Sequence, residues 1–277
     1  MNQTIFILDQ GSSRNIYYNL AIEEAYSLHF IKEGCVGGIR FWMNSNSVVL
    51  GLSEDVETNV PSEKLLNFQN NFLNLQVSIK PIKNNLYIAR RCSGGGTVYQ
   101  DMGLNLNYSL FVSTKYKTEL YPIKQSYQIL LPLVINALSK QGIEARMGGS
   151  SDIIIPSNDV LKKISGNSQF RKKDTLTLHG TLILNESLIP SITKNVKHPP
   201  TEPDYRQKRE HKDFLSSLPG NFSESKFKKD LVINFINYMD SEELNKKKQF
   251  SFIKKILKEA KILYKEKYAN LEYVLKR

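Results

Sequence analysis

Cysteine is nearly missing from this chain: among 277 residues only Cys35 and Cys92 occur, far apart in sequence and accompanied by just four histidines. That scarcity excludes a disulfide framework and a Cys/His metal cage, and it fits a reducing compartment. Long apolar runs are missing too. The best, ILLPLVI at 129–135, falls far short of a membrane span, and the stretch MNQTIFILDQGSSRN lacks a basic start leading into an apolar segment. A cytoplasmic protein with no membrane partner is expected. No Gly-Lys-Ser/Thr follows a glycine run and no dinucleotide fingerprint opens a helix, so neither a Walker loop nor a Rossmann site is indicated. With no aromatic RNP motif and no finger spacing, nucleic acid is not an expected partner. Internal repeats and low-complexity tracts are likewise absent.

What the chain does have is ample core material and an excess of positive charge. Hydrophobic residues make up 40% and charged residues 23%, enough for one large core or two small ones. The formal net charge is +11 and the pI about 9.4, with lysines crowding toward the end, as at Lys246, Lys247, Lys248, Lys254 and Lys255. Such a field attracts an acidic protein surface or a phosphate-bearing ligand, although dispersed lysines also serve solubility.

Period-2 alternation of β-branched and aromatic residues predicts strands at TIFILD, GIRFW, SVVLGL, LYIARRC, LNLNYSLFV, SDIIIP and LTLHGTLILN. Helical spacing appears in NIYYNLAIEEAYSLHFIKEG, where Leu20, Glu24 and Leu28 align and Gly34 is the stop. It appears again in PIKQSYQILLPLVINALSKQG, with Pro132 as an expected kink and Gly142 as the stop. From Phe227 the pattern turns helical, and Ile253, Ile256, Leu257, Ala260, Leu263 and Tyr264 form one apolar stripe opposite lysines. NVKHPPTEPDYRQKREHKDF, proline-rich and polar, reads as a loop wrapping the surface. Strands that cluster without regular helical crossovers indicate an α+β fold on a mixed, mostly antiparallel sheet with flanking helices.

Two stretches carry candidate chemistry. In ARRCSGGGTVYQD, the strand-like LYIARRC and TVYQD leave Ser93 to Gly96 as a tight hairpin connection. Bare glycine backbone lets a ligand lie against it, successive N–H groups can cradle an anion, and arginine supplies a planar fork for phosphate or carboxylate. Three glycines alone would equally serve an ordinary hairpin turn. In KKISGNSQFRKKDTLTLHGTLILN, two strand-like pieces flank a charged turn and Lys163 stands directly before Ile-Ser-Gly. A lysine beside a glycine loop can neutralise charge that develops in acyl transfer. In so lysine-rich a chain an ordinary surface lysine is the competing reading, and spacing alone does not separate the two.

Taken together and in order, RRCSGGGTVYQD, LNYSL, GSSD, KKISGNSQFRKKD, LHGTLILN and EPDYRQKREHKDFLSSL resemble the lipoate-protein ligase A family over roughly residues 40 to 217. YNLAIEE resembles its first helix and EKYANLEYVLKR the close of its catalytic domain. The resemblance implies a biotin/lipoate ligase fold akin to class II aminoacyl-tRNA synthetase cores. It implies a single catalytic domain over 1–277, an α/β core at 1–218 and a helical part at 219–277, with no accessory C-terminal domain. The implied activity is attack of a lipoate or octanoate carboxylate on the α-phosphorus of ATP, with Mg²⁺, followed by transfer of the acyl group to a lysine. Carried onto this sequence, Gly94, Gly95 and Gly96 lie along the acyl-adenylate, Arg91 reaches phosphate, and backbone from Gly96 through Thr97, Val98 and Tyr99 meets nucleotide. Lys163 is the catalytic ammonium on the acyl carbonyl and a phosphate oxygen, and Asp152 helps hold Mg²⁺. Ser93, Gly166 and His179 join the substrate- and ATP-binding positions, His179 reading as a hydrogen-bonded strand residue before a general base. The implied acceptors are acidic lipoyl domains of the 2-oxoacid dehydrogenase E2 or glycine-cleavage H type, with a small accessory ligase subunit as a further partner.

The sequence also departs from the family. Gln100 stands where many members have histidine, Leu52 follows Gly51 where many have arginine, and DMGLNLNYS is one residue longer than the usual pattern. An alternative on the same fold is an octanoyl or lipoyl transferase that uses a cysteine nucleophile and a thioester or lipoyl-protein donor without ATP. At the places where such enzymes carry their cysteine, this chain has Met147 with Gly148, and Leu176 with Thr177. Cys92 is the cysteine nearest the glycines, and an uncharged strand-end cysteine is expected to pack. A non-catalytic lipoate-binding relative is the remaining alternative.

Overall fold

The computed structural model describes residues 3–9, 14–157 and 160–276. Of the N-terminal stretch read above, residues 1, 2 and 10–13 lie outside the described residues, as does residue 277 of the closing segment. Along the chain run β1 (Thr4–Asp9), α1 (Ile16–His29), β2 (Cys35–Trp42), β3 (Ser47–Leu50), α2 (Val56–Asn59), α3 (Ser62–Leu75), β4 (Tyr87–Arg90), β5 (Val98–Gln100) and β6 (Asn105–Ser113). There follow α4 (Ile123–Ser139), β7 (Arg146–Gly148), β8 (Asp152–Ser157), β9 (Val160–Lys172), β10 (Thr175–Ile183), α5 (Leu188–Asn195) and α6 (His211–Phe214). The chain ends with α7 (Glu224–Met239), β11 (Glu242–Glu243), α8 (Lys246–Leu263), a π-helical turn at Tyr264–Tyr268 and α9 (Leu271–Leu275).

The large sheet has the order β11-β1-β2-β6-β10-β9-β8-β7, parallel across its first two pairings and antiparallel thereafter. Alternation along its strands sorts side chains onto two faces. Leu176, Leu178 and Leu182 of β10 enter one core with Leu110, Val112 and the apolar sides of α4 and α7. On the opposite face Phe6, Phe111 and Ile183 meet α1 and α8. α1 is buried at nearly every position, so it forms the centre of that layer rather than a surface stripe; Asn15 caps it by accepting from Tyr18 N at 2.9 Å. The expected stripe on α8 turns Phe252, Ile256 and Ala260 inward. The helical C-terminal part thus shares both cores with the rest of the chain.

The hairpin expected across the glycines does not form. β4 and β5 are separated by β3, which pairs parallel with β4 and antiparallel with β5, so residues 91–97 cross over the end of β3. Two backbone bonds seat that crossing, Arg91 N to Leu50 O at 3.0 Å and Leu52 N to Ser93 O at 2.8 Å. Gly51 lies directly beneath it, where a Cβ would collide with the Gly95 carbonyl oxygen. The charged turn at Lys172–Thr175 does join β9 to β10 antiparallel, as expected.

Candidate functional site

A cavity of about 430 Å³ opens between the glycine crossing, β9, β10 and the proline-rich wrap. Its apolar wall includes Leu20, Trp42, Val49, Val98 and Ile183. Of the residues singled out from the sequence, Arg91, Gly95, Gly96, Thr97, Val98, Tyr99, Asp152, Lys163, Gly166 and His179 line it, while Ser93 and Gly94 lie just behind.

Lys163 reaches the cavity because β9 carries a bulge. Ile154 of β8 faces Lys163 and Ile153 faces Ser165, which leaves Ile164 as the extra residue. Beyond the bulge Gly166 pairs with Thr181 and Ser168 with His179, so these positions share the cavity face. In an unbroken strand Ile164 would share that face and Lys163 would point into the core. The extra residue exchanges them: Ile164 enters the core and Lys163 turns to the cavity. There its Nζ lies 2.8 Å from Asp152 Oδ1. The other Asp152 oxygen accepts from the Tyr205 hydroxyl at 2.7 Å, which ties the wrap to the site. Asp152 is therefore a single, already partnered carboxylate, and among the described residues no group of three or more ligating side chains could cage a metal ion.

Arg91 is the second arginine of the motif, and its guanidinium makes four bonds to protein. Nε donates to Ser93 Oγ at 2.9 Å, Nη1 to Val49 O at 3.2 Å, and Nη2 to Gly94 O at 2.6 Å and Gly96 O at 2.9 Å. Burial pulls Arg91 down to about 10, which leaves it charged at neutral pH. In this conformation it buttresses the loop while still lining the cavity. The neighbouring Arg90 faces the other way. It donates to carbonyls of Gly51 and Glu54 and to those of Val274 and Lys276, so the doublet clasps the loop from one side and the C-terminal segment from the other. Among the described residues no protein acceptor meets the N–H groups of Gly95, Gly96 or Thr97. Consecutive unpaired amides beside a lysine make an anion cradle.

Gln100 is buried and donates to Asn107 Oδ1 and Thr181 Oγ1, both at 2.8 Å, while accepting from Asn44 at 2.5 Å. With a further bond accepted from Asn107 Nδ2 at 3.4 Å, four bonds use the carboxamide fully, which accounts physically for an amide at that place. Leu52 is 38% exposed and contributes only backbone to the crossing. The longer DMGLN segment closes as a turn, Leu104 N to Asp101 O at 3.1 Å, with Gly103 at φ 75°. Cys92 faces away from the cavity chemistry, toward Glu24 and Tyr268, and burial pushes its thiol up to about 12. The residues that motif reading did not assign are Glu23, which meets His179, and Tyr205. Glu23 sits in the quoted YNLAIEE, but only the fold brings α1 against β10.

Among curated relatives the chain is 28% identical to the lipoate-protein ligase LplJ of Bacillus subtilis, over 66% of this chain and 47% of that protein. It is 30% identical to the lipoate-protein ligase A of Bdellovibrio bacteriovorus, over 66% of this chain and 45% of that protein. The chain thus spans about half the length of the curated relatives it matches. Among solved structures it resembles the bi-partite lipoate protein ligase of Thermoplasma acidophilum at a TM-score of 0.72 and 22% identity, covering 100% of this chain and 98% of that one. It also resembles a lipoate-protein ligase A bound with ATP, at a TM-score of 0.65 and 22% identity over 99% of each chain. At those identities the resemblance speaks to the fold. The model of the lipoyl protein ligase A/B catalytic domain matches residues 15–231, and the chain belongs to that family.

Proposed function

We propose that this protein is a lipoate-protein ligase: it activates lipoate or octanoate with ATP and transfers the acyl group to a lysine of an acceptor protein. In the first step a carboxylate oxygen attacks the α-phosphorus, a P–O bond forms, and pyrophosphate leaves. In the second, the acceptor amine attacks the acyl carbonyl, the C–O bond to AMP breaks, and the amine proton is lost. The observation that carries this reading is the pairing of unpaired Gly95–Thr97 amides with the Lys163 ammonium at one apolar cavity. Amides suit the phosphate, an apolar wall suits an alkyl chain, and an ammonium stabilises the negative charge that grows in both steps. Lys163 rests on Asp152 until a ligand oxygen takes its place. An Mg²⁺ ion, where present, would find one protein carboxylate in Asp152 and would supply charge neutralisation on the phosphates.

The net charge of +11 supports an acidic acceptor, of which lipoyl domains of the E2 or H type are the proposed class. A separate small accessory subunit is a proposed partner as well. Cytoplasmic location is in keeping with two free cysteines and with no described helix long and apolar enough to cross a membrane. Acid-dependent exchange of pyrophosphate into ATP tests the reading: exchange that needs lipoate or octanoate is expected, whereas acyl transfer from a thioester without ATP would overturn it.

A further inference from the structure

We propose that Glu23 is a positioning residue for the anion cradle, acting through His179, Ser93 and Arg91 on the amides of Gly95 and Thr97. The inference rests on the ligase reading for its kinetic consequence but not for its geometry. A trans peptide points its C=O and its N–H in opposite directions. Because Arg91 Nη2 draws the Gly94 and Gly96 carbonyls to itself, the N–H groups of Gly95 and Thr97 are turned away from the guanidinium, where no protein group accepts them among the described residues. The planar fork is fixed at two further points, Nη1 on the Val49 carbonyl and Nε on Ser93 Oγ, of which only the second is a side chain. Ser93 has one proton. Accepting from Arg91, it donates that proton to His179 Nε2 at 2.7 Å.

His179 Nε2 can accept only while it is bare, so the ring proton must sit on Nδ1. Both Glu23 oxygens lie 3.0 Å from Nδ1, and an ionised carboxylate accepts without donating, which fixes that tautomer. Ser109 donates to the same carboxylate at 2.5 Å. Glu23, Ser93, Arg91 and His179 are all at least nine-tenths buried, so water does not compete for these bonds. Burial alone would raise the Glu23 carboxyl, but His179, Ser109 and Arg40 outweigh it and hold it below the usual carboxylate range.

Glu23→Gln tests the relay. A carboxamide keeps the volume but offers a donor, which permits the Nε2–H tautomer; Ser93 then faces two donors, His179 and Arg91, and its own buried proton loses its acceptor, which weakens the Ser93–Arg91 contact. Expected in nitrogen-15 spectra are a change of His179 tautomer and displaced amide signals for Gly95 and Thr97. In the exchange assay the KM for ATP should rise about tenfold or more with a smaller change in kcat. The Glu23→Gln/Ser93→Ala double variant should be no worse than the single ones, as for links of one chain. Unmoved Gly95 and Thr97 amides, an unchanged KM with only a lower melting temperature, or additive effects would each overturn the proposal. Should Glu23→Gln not fold, Ser93→Ala alone carries the same amide and KM readouts, with the same outcomes. A wild-type protein without exchange would sink the ligase reading instead, and the amide spectra would still decide the relay.

Discussion

At the scale of single residues, the chemistry sits where two readings of one side chain competed. Lys163 was legible as a candidate from its place before Ile-Ser-Gly, but its orientation was not, because the bulge depends on what β8 offers across the strand. Arg91 was legible as a functional cation and its occupation was not: the acceptors of its fork are backbone carbonyls from Val49, Gly94 and Gly96, and carbonyls leave no signature in sequence. Cys92 is expected from sequence to pack, and its surroundings agree with that. The thiolate is the reactive form, and a thiol pushed up to about 12 by burial and by Glu24 and Glu23 is almost wholly protonated at pH 8. Iodoacetamide should therefore label Cys92 in the folded protein at least about a hundredfold more slowly than a free thiol of ordinary pKa. Cys92→Ser should keep ATP-dependent activity within about threefold. Rapid labelling, or loss of acyl transfer in the serine variant, would return the thiol to the mechanism.

At the scale of elements, periodicity found the long strands, α1, α4 and the C-terminal helices, and missed α3 and α5. The signal for α3 was present, since Leu65, Phe68, Phe72 and Leu75 fall at helical spacing and all are buried. The β4–β5 hairpin was the larger miss. Local pattern gives strands but not partners, and β3, which lies forty positions before β4 and about fifty before β5, inserts between the two. The bulge makes a direct prediction: deleting Ile164 removes the extra residue and so leaves Lys163 on the cavity face, while the loss of a buried isoleucine destabilises the fold by about 3 kcal/mol or more, read by denaturant titration. A folded deletion variant that has lost all activity would contradict this register. A second prediction concerns Glu24, which binds Lys267 at 2.7 Å, Tyr268 at 2.6 Å and Lys172 at 2.9 Å and so fastens the π-helical turn to α1 and β9. Burial would raise this carboxyl, yet Lys267 and Tyr268 outweigh it and the net value lies below the ordinary one. A depressed carboxyl adds stability above its unfolded value, near pH 4, and loses it as pH falls through the folded value. Glu24→Gln should thus cost about 2 kcal/mol at pH 7, a gap that closes below about pH 4. A pH-independent gap would contradict the ion-pair account.

At the scale of the whole molecule, an eight-stranded sheet with a helical layer on each face and the three-stranded sheet β4-β3-β5 support a cavity whose walls come from α1, the glycine crossing, β9, β10 and the wrap. The family pattern located most of these in sequence; the joining of the wrap to the site through Tyr205 and Asp152 required the fold. The net charge belongs to this scale as well. A long-range attraction between a +11 chain and an acidic acceptor is screened by salt, while a small acid and ATP held in a preformed cavity feel less of it. Raising salt from about 50 to 300 mM should slow acyl transfer to an acidic lipoyl domain several-fold more than it slows pyrophosphate exchange. Equal slowing of both would remove charge from acceptor recognition. The most direct measurement is single-turnover kinetics of Lys163→Ala, verified as folded, with lipoate, ATP and an acceptor domain. The account predicts that acyl-adenylate formation and its discharge both fall by about a hundredfold or more, and undiminished rates for the two steps would contradict it.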